Sequence, residues 1–248
     1  MIVTSVAERP DLLGPAVELG GVGHEFMRHD RVGGLARARR LAARWPDCFL
    51  VVLDGDVPVA RAVGVPLVFP EPGREQLPDH GWDGAVLWAA EDALDGRAPT
   101  CLAALDVQVA GDRRGQGIAA VALDALRAAA RRKRLRRLVI PVRPTSKDRR
   151  PRLGMAEFLA RRRPDGLSRD PWLRTHERLG ARVVKVAPFS MTVVGSLAQW
   201  ESWTGSPLVD GQNVVRGALA PVLASTASDV GVYVEPNVWV EHTVDDTP

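Results

Sequence analysis

Apolar positions recur along this chain with two periods, and the switches between them predict a mixed α/β fold. Asp47 to Asp54 is an almost continuous apolar run ending in Asp54-Gly55, a hairpin signal, and Val57 to Phe69 supplies its antiparallel partner. Cys101–Ala110, Leu138–Val142 and Ala181–Val186 read as further strands, and Ser190–Val194 is strand-like. Gly231 to Glu241 sets Val232, Val234, Val238 and Val240 against Tyr233, Glu235, Trp239 and Glu241, the alternation of a last strand. Ile2, Thr4 and Val6 alternate weakly and predict a first one.

Helical spacing fills the intervals. Gly33 to Arg44 places Leu35, Ala38, Leu41 and Ala42 on one face, Asp11–Leu19 forms another helix, and Gln116–Arg134 is long and strongly amphipathic. A short helix is expected around Met155–Arg161. Another is punctuated by Asp170 as its cap, Pro171 at its first position and Gly180 at its end. Pro70–Thr100 is rich in Pro, Gly, Asp and Glu and reads as an insertion loop with one helical patch near Gly84–Leu94. The expected organisation is a core over residues 1–187, with insertions at about 70–100 and 143–169. Residues 188–248 extend that core and complete the same sheet, ending in a polar, frayed tail from Thr243 to Pro248.

Composition removes several function classes. With 46% hydrophobic and 25% charged residues the chain can bury an ordinary core without a disulfide or metal staple. Its two cysteines, Cys48 and Cys101, lie in apolar runs and read as buried free thiols, and the five histidines lack metal-ligand spacing. No basic-then-apolar leader opens the chain, and no apolar run approaches the roughly 20 residues of a membrane span. A cytoplasmic protein without a membrane partner is the expectation. The net charge of +3 hides an asymmetry: residues 131–163 carry fourteen Lys/Arg against Asp148 and Glu157, a net near +12. Part of that cluster suits a helix C-terminus, and part is available to an anionic partner.

The chemistry concentrates in Leu105-Asp-Val-Gln-Val-Ala-Gly-Asp-Arg-Arg114-Gly115-Gln116-Gly117-Ile118-Ala119. A strand feeds a glycine turn that opens a helix. The first N–H groups of a helix have no internal partners, and the dipole adds positive character there. Gly115, Gly117 and Ala119 leave room for an anion to approach, and a pyrophosphate suits the place. Ala120 occupies the third glycine position of the dinucleotide fingerprint, so that pattern fails, as does the P-loop pattern.

What Arg114-Gly115-Gln116-Gly117-Ile118-Ala119 does match is Arg/Gln-x-x-Gly-x-Gly/Ala. With a strand before it and an Ala/Leu-rich helix after it, the segment resembles the GNAT superfamily of acyl-CoA-dependent N-acyltransferases. Trp172-Leu-Arg-Thr-His176-Glu-Arg-Leu179-Gly180 is similar to that family's late helix, except that His176 stands where a tyrosine is usual. The resemblance spans about residues 45–187. It implies a mixed, mostly antiparallel sheet flanked by helices, with acetyl-CoA or another acyl-CoA as donor. It also implies that Val107, Val109, Arg114, Gly115, Gln116, Gly117, Ile118 and Ala119 hold the cofactor.

Amide formation from a thioester needs a neutral amine, a stabilised oxyanion and a leaving thiolate. Backbone N–H groups near Val107 and Val109 can polarise the carbonyl. His176, with an unperturbed pKa near 6.5, is the first acid–base candidate. Asp106, on the strand face opposite Leu105 and Val107, is a second, and Tyr233 a third. The expected acceptor is a small-molecule amine. The basic segment 131–163 keeps open a transferase loaded from an aminoacyl-tRNA or an acyl carrier protein, and the missing tyrosine keeps open a non-catalytic acyl-CoA sensor. Trp200, Trp203 and Trp239 are expected in the core, ahead of a pocket or a homodimer interface.

Overall fold

The structure, a computed structural model, describes residues 1–20 and 23–244; Asp245–Pro248 of the expected frayed tail lie outside them. The strands are β1 (Ile2–Ser5), β2 (Phe49–Asp54), β3 (Val57–Leu67), β4 (Cys101–Val109), β5 (Arg137–Val142), β6 (Arg182–Gly195), β7 (Gly211–Asn213), β8 (Val222–Ser225) and β9 (Val230–Thr243). The α-helices are α1 (Leu13–Glu18), α2 (Ala38–Arg44), α3 (Gly81–Leu94), α4 (Ile118–Arg132), α5 (Met155–Ala160), α6 (Pro171–Arg178) and α7 (Leu197–Thr204). The strands form a single sheet in the order β1-β2-β3-β4-β5-β9-β8-β7, with β6 on the other edge of β9. β4 and β5 run parallel and every other pairing is antiparallel.

Alternation along the strands divides the interior into two cores. Leu50, Val52, Ala62, Leu102, Leu138 and Val240 meet α4, α5 and α6 on one face. α4 belongs there because Ala122, Leu123, Leu126, Ala129 and Ala130 form one buried stripe. Burying a leucine such as Leu123 contributes roughly 1.5–3 kcal/mol. Phe49, Val51, Val63, Val65, Cys101 and Trp239 meet α1, α2 and α3 on the opposite face. A third cluster, Phe26, Trp200, Tyr233 and Val222, packs beneath α7. Both cysteines are buried, as are Trp200 and Trp239, while Trp203 is stacked on His29.

Three stretches differ from the sequence expectation. The 70–100 insertion is built around a full 14-residue helix, α3, and not around a patch. Its buried side rests on Gly81, Gly84, Ala85 and Ala89, small residues that hide the helical period, and on the carboxylates Asp83 and Asp92. Asp92 accepts the Val68 N–H and pairs with Arg74 and Arg97, which fastens the excursion to the end of β3. β6 is one strand where two were expected, because register shifts near Val184 and between Ala187 and Met191 interrupt its pattern. The helices expected at Asp11–Leu19 and Gly33–Arg44 are shortened to α1 and α2, each preceded by 3-10 turns.

Candidate active site

The two central strands separate. β4 pairs with β5 only at Cys101–Ala103, whereas β5 continues alongside β9 to Val142. From Ala104 onward β4 has no strand on that side, and a cleft opens between the two. Pro141, which has no N–H to give, stands where β4 has already left.

On the α4 side, the glycine turn meets the cleft. Gly115 and Gly117 have φ of +79° and +80°, a left-handed conformation that glycine adopts without strain. Gly117 caps α4 without a side-chain partner. Among the described residues, no acceptor takes the N–H groups of Gly117, Ile118 or Ala119. A Cβ on either glycine would meet nothing within 4 Å, so the space above the turn is open. Val107 and Val109 lie on the same side, packed against the α4 core. Arg114 and Gln116 are exposed at the rim.

On the other side, a bulge redirects the carboxylate. The register between β3 and β4 shifts so that Val63 faces Asp106 and Gly64 faces Ala104, leaving Leu105 as the extra residue. Leu105 packs with the α1–α3 core, and Asp106 points the same way, 2.6 Å from Arg61 Nε. The strict alternation expected from sequence, with Leu105 and Asp106 on opposite faces, therefore fails at this position. Arg61 also donates to the carbonyls of Ala16 and Val17 at 3.0 Å, so the pair anchors α1 beside the cleft.

The start of α3 bridges the cleft. Trp82 donates its indole N–H to the Leu105 carbonyl at 3.0 Å and its backbone N–H to Ser190 Oγ at 2.8 Å, and Ser190 donates to Asn237 Oδ1. Ser190 sits in the β6 bulge. A Cβ on Gly81 would lie 2.2 Å from its Oγ, so only glycine lets α3 come this close.

β9 is unpaired between Tyr233 and Asn237 on the edge shared by β5 and β8, and a buried polar network fills the gap. Glu235, fully buried, takes Arg143 Nε at 3.0–3.1 Å, the Tyr233 hydroxyl at 2.8 Å and Asn237 Nδ2 at 3.2 Å.

The three acid–base candidates fare differently. Asp106 is on the cleft and partly exposed. His176 is fully buried, with Nδ1 2.9 Å from His242 Nε2 and its ring edge-on to Trp172. Burial, then the neighbouring His242, pushes it down to about 3. A neutral ring sealed in the core reaches no acceptor, which corrects the expectation. Tyr233 is corrected for the same reason: it is fully buried, accepts the Leu219 N–H at 2.8 Å, and burial ahead of Glu235 raises its pKa well above the usual phenol range. Tyr233→Phe is expected to cost about 1–2 kcal/mol of stability, read from the urea midpoint, because Leu219 N–H loses its acceptor. A role as the acid would show instead as lost kcat at unchanged stability.

The basic segment is partly spent on the fold. Lys133 pairs with Asp47, Arg137 with Glu241, Arg143 with Glu235, Arg162 with Glu177 and Arg163 with Asp165. Lys147 is buried, donating to the carbonyls of Arg150, Pro151 and Leu219. No helix among the described residues is long and apolar enough to cross a membrane.

Sequence reasoning missed Arg61, Trp82, Asp83, Ser190 and Asn237. One signal was present: the inward-facing register of β9 that places Tyr233 and Trp239 in the core also carries Glu235 and Asn237, and a buried polar position needs a partner.

No family model matches the chain. The arginine N-acetyltransferase avaD of Aspergillus versicolor is 36% identical, over 79% of this chain and 76% of that protein. The loading GNATL domain of CurA from Lyngbya majuscula superposes with a TM-score of 0.58 over 98% of this chain and 97% of that one, at 14% identity. The GphF GNAT-like decarboxylase, solved with isobutyryl-CoA, gives 0.55 over 99% and 100%, at 16% identity. The two structures establish the shared fold, and the identity and coverage of the fungal enzyme establish kinship. The chain belongs to the GNAT superfamily of acyl-CoA-dependent N-acyltransferases, enzymes that move an acyl group onto an amine.

Proposed function

We propose that this enzyme transfers an acetyl group from acetyl-CoA to an amine of a small cationic molecule. Arginine, named for the 36%-identical fungal relative, is the first acceptor to try. The observation that carries the reading is the cleft between β4 and β5, with unpaired helix N–H groups on one side and the Asp106 carboxylate on the other.

In this reading the pyrophosphate sits on the N–H groups of Gly117, Ile118 and Ala119, where the α4 dipole favours negative charge. The pantetheine follows the open edge of β4, and backbone N–H groups near Val107 and Val109 polarise the thioester carbonyl. The acceptor enters from the α1–α3 side. Its neutral nitrogen attacks the carbonyl carbon, the C–S bond breaks, and the nitrogen loses a proton while the CoA thiolate gains one. Asp106 is the carboxylate at the bulge that orients the attacking amine and draws off its proton, with Arg61 fixing its position.

Calorimetric titration with acetyl-CoA, followed by thiol release on adding arginine, tests the reading. Micromolar binding and release of one thiol per acceptor are expected, and no binding of acetyl-CoA or CoA sinks it. Asp106→Asn is expected to lower kcat/KM for the acceptor by roughly 10- to 100-fold while acetyl-CoA affinity stays within about twofold. Unchanged kcat/KM would remove Asp106 from the mechanism.

A further inference from the structure

We propose that Trp82 is a positioning residue for acyl transfer: its indole N–H holds the peptide group that leads into Asp106, and so sets that carboxylate against the attacking amine. This rests on the acyl-transfer reading above and on the place that reading gives Asp106.

Leu105 stands where neither neighbouring strand holds β4. It is the extra residue of the bulge and has no register partner in β3, and from Ala104 onward β4 has no strand on its β5 side. A bulged residue drops out of the ladder. The Trp82 indole supplies a partner, donating to the Leu105 carbonyl at 3.0 Å.

That bond reaches the carboxylate because a peptide group is planar. The Leu105 carbonyl and the N–H and Cα of Asp106 lie in one rigid plane, so fixing the oxygen fixes the base of the Asp106 side chain. Arg61 holds the other end, its Nε 2.6 Å from Oδ2. Asp106 is thus held at its backbone by Trp82 and at its tip by Arg61. Without the indole N–H the plane is free to turn, and a displacement of about 1 Å in a reacting geometry costs on the order of 100-fold in rate.

Trp82 acts as a fixed point because it is anchored on the opposite wall of the cleft. Its backbone N–H donates to Ser190 Oγ at 2.8 Å, and Ser190, fully buried, donates to Asn237 Oδ1. Just before it, the Pro78 carbonyl takes the Trp239 indole N–H at 2.8 Å and the Asp79 carbonyl takes the Phe189 N–H at 3.1 Å. Phe189 and Ser190 belong to β6, Asn237 and Trp239 to β9. The indole therefore ties β4 to the β6–β9 wall across the gap where β4 and β5 part, and it fixes the width of the cleft on the Asp106 side.

Trp82→Phe keeps a ring at the position and removes the donor. Its kcat for acetyl transfer to arginine, read by thiol release, is expected to fall roughly 10-fold or more, with acetyl-CoA affinity by calorimetry within about twofold of wild type. Trp88→Phe, on the same helix but stacked on Phe69 beyond the end of β3, is the control and should leave kcat unchanged. A double-mutant cycle with Asp106→Asn separates positioning from packing: once the carboxylate is gone, Trp82→Phe should cost less than about threefold. An equal loss in both backgrounds, or a Trp82→Phe enzyme within about twofold of the wild-type kcat, overturns the proposal. A crystal structure of Trp82→Phe needs no turnover. The Leu105–Asp106 peptide is expected to have turned and Asp106 to have left Arg61, and an unmoved peptide overturns the proposal whether or not arginine is acetylated. A wild type that binds acetyl-CoA but releases no thiol with any amine overturns the transfer reading and this role with it, a failure told apart because it appears before any substitution.

Discussion

Gly117→Glu is expected to weaken acetyl-CoA binding by at least 100-fold while the protein remains folded. Two effects add. Gly117 holds φ +80°, ψ −2°, where a side chain costs roughly 1–2 kcal/mol. That strain lowers stability modestly. The larger effect is electrostatic: a Cβ at this position meets nothing within 4 Å, so the new carboxylate projects into the space above Ile118 and Ala119 and competes with the pyrophosphate for their N–H groups. Gly117→Ala separates the terms, since it carries the strain without the charge. We expect it to lose about 1 kcal/mol in a thermal melt and less than tenfold in affinity. Calorimetry on both variants reads the result. Equal affinity of wild type and Gly117→Glu would show that the phosphates bind elsewhere.

The donor half of this site was legible because it is local. Strand, glycine turn and helix follow one another without a break from Cys101 to Arg132, and the backbone conformation that Gly115 and Gly117 adopt is what their sequence pattern requires. The proposed acceptor side is assembled from afar. Trp82, Ser190 and Asn237 come from three separate stretches and meet only because the 70–100 excursion folds as α3 against β6. Composition alone marked that excursion as loop, since α3 buries glycine and alanine where a sequence reader looks for leucine. Parity failed at Leu105 because one bulge residue reverses the face of all that follows, and a period-two pattern carries no mark of it. His176 and Tyr233 were chosen by residue type. Burial decided against both, and burial is a property of the neighbours: Trp172 and His242 for one, Leu219 and Glu235 for the other.

The same burial makes His176 and His242 the acid-labile point of the fold. Their facing nitrogens are 2.9 Å apart and share one proton, while His176 Nε2 and His242 Nδ1 are buried without partners. Desolvation is the leading cause that holds the rings at about 3 and about 4, with His242 adding to it for His176 and Arg127 for His242. Unfolded, each ring binds a proton near pH 6.5, so between that value and the folded ones the unfolded chain holds more protons. The pair's contribution to stability is therefore complete above pH 6.5 and is lost as pH falls. By pH 5 each ring should have cost roughly 2 kcal/mol, a loss that requires only that both folded values lie below 5. His24, also lowered by burial, adds a smaller loss of the same sign. Urea unfolding at pH 7.5, 6 and 5 reads the slope before the ordinary carboxylates titrate. Asp83, raised to about 8 chiefly by burial, adds stability with the opposite sign as pH falls, so the pair's share is read as a difference: His176→Phe combined with His242→Leu should gain roughly 4 kcal/mol on the wild type between pH 7.5 and pH 5. A double variant whose stability follows pH as the wild type's does would mean that a proton enters the pair without opening the interface between α6 and β9.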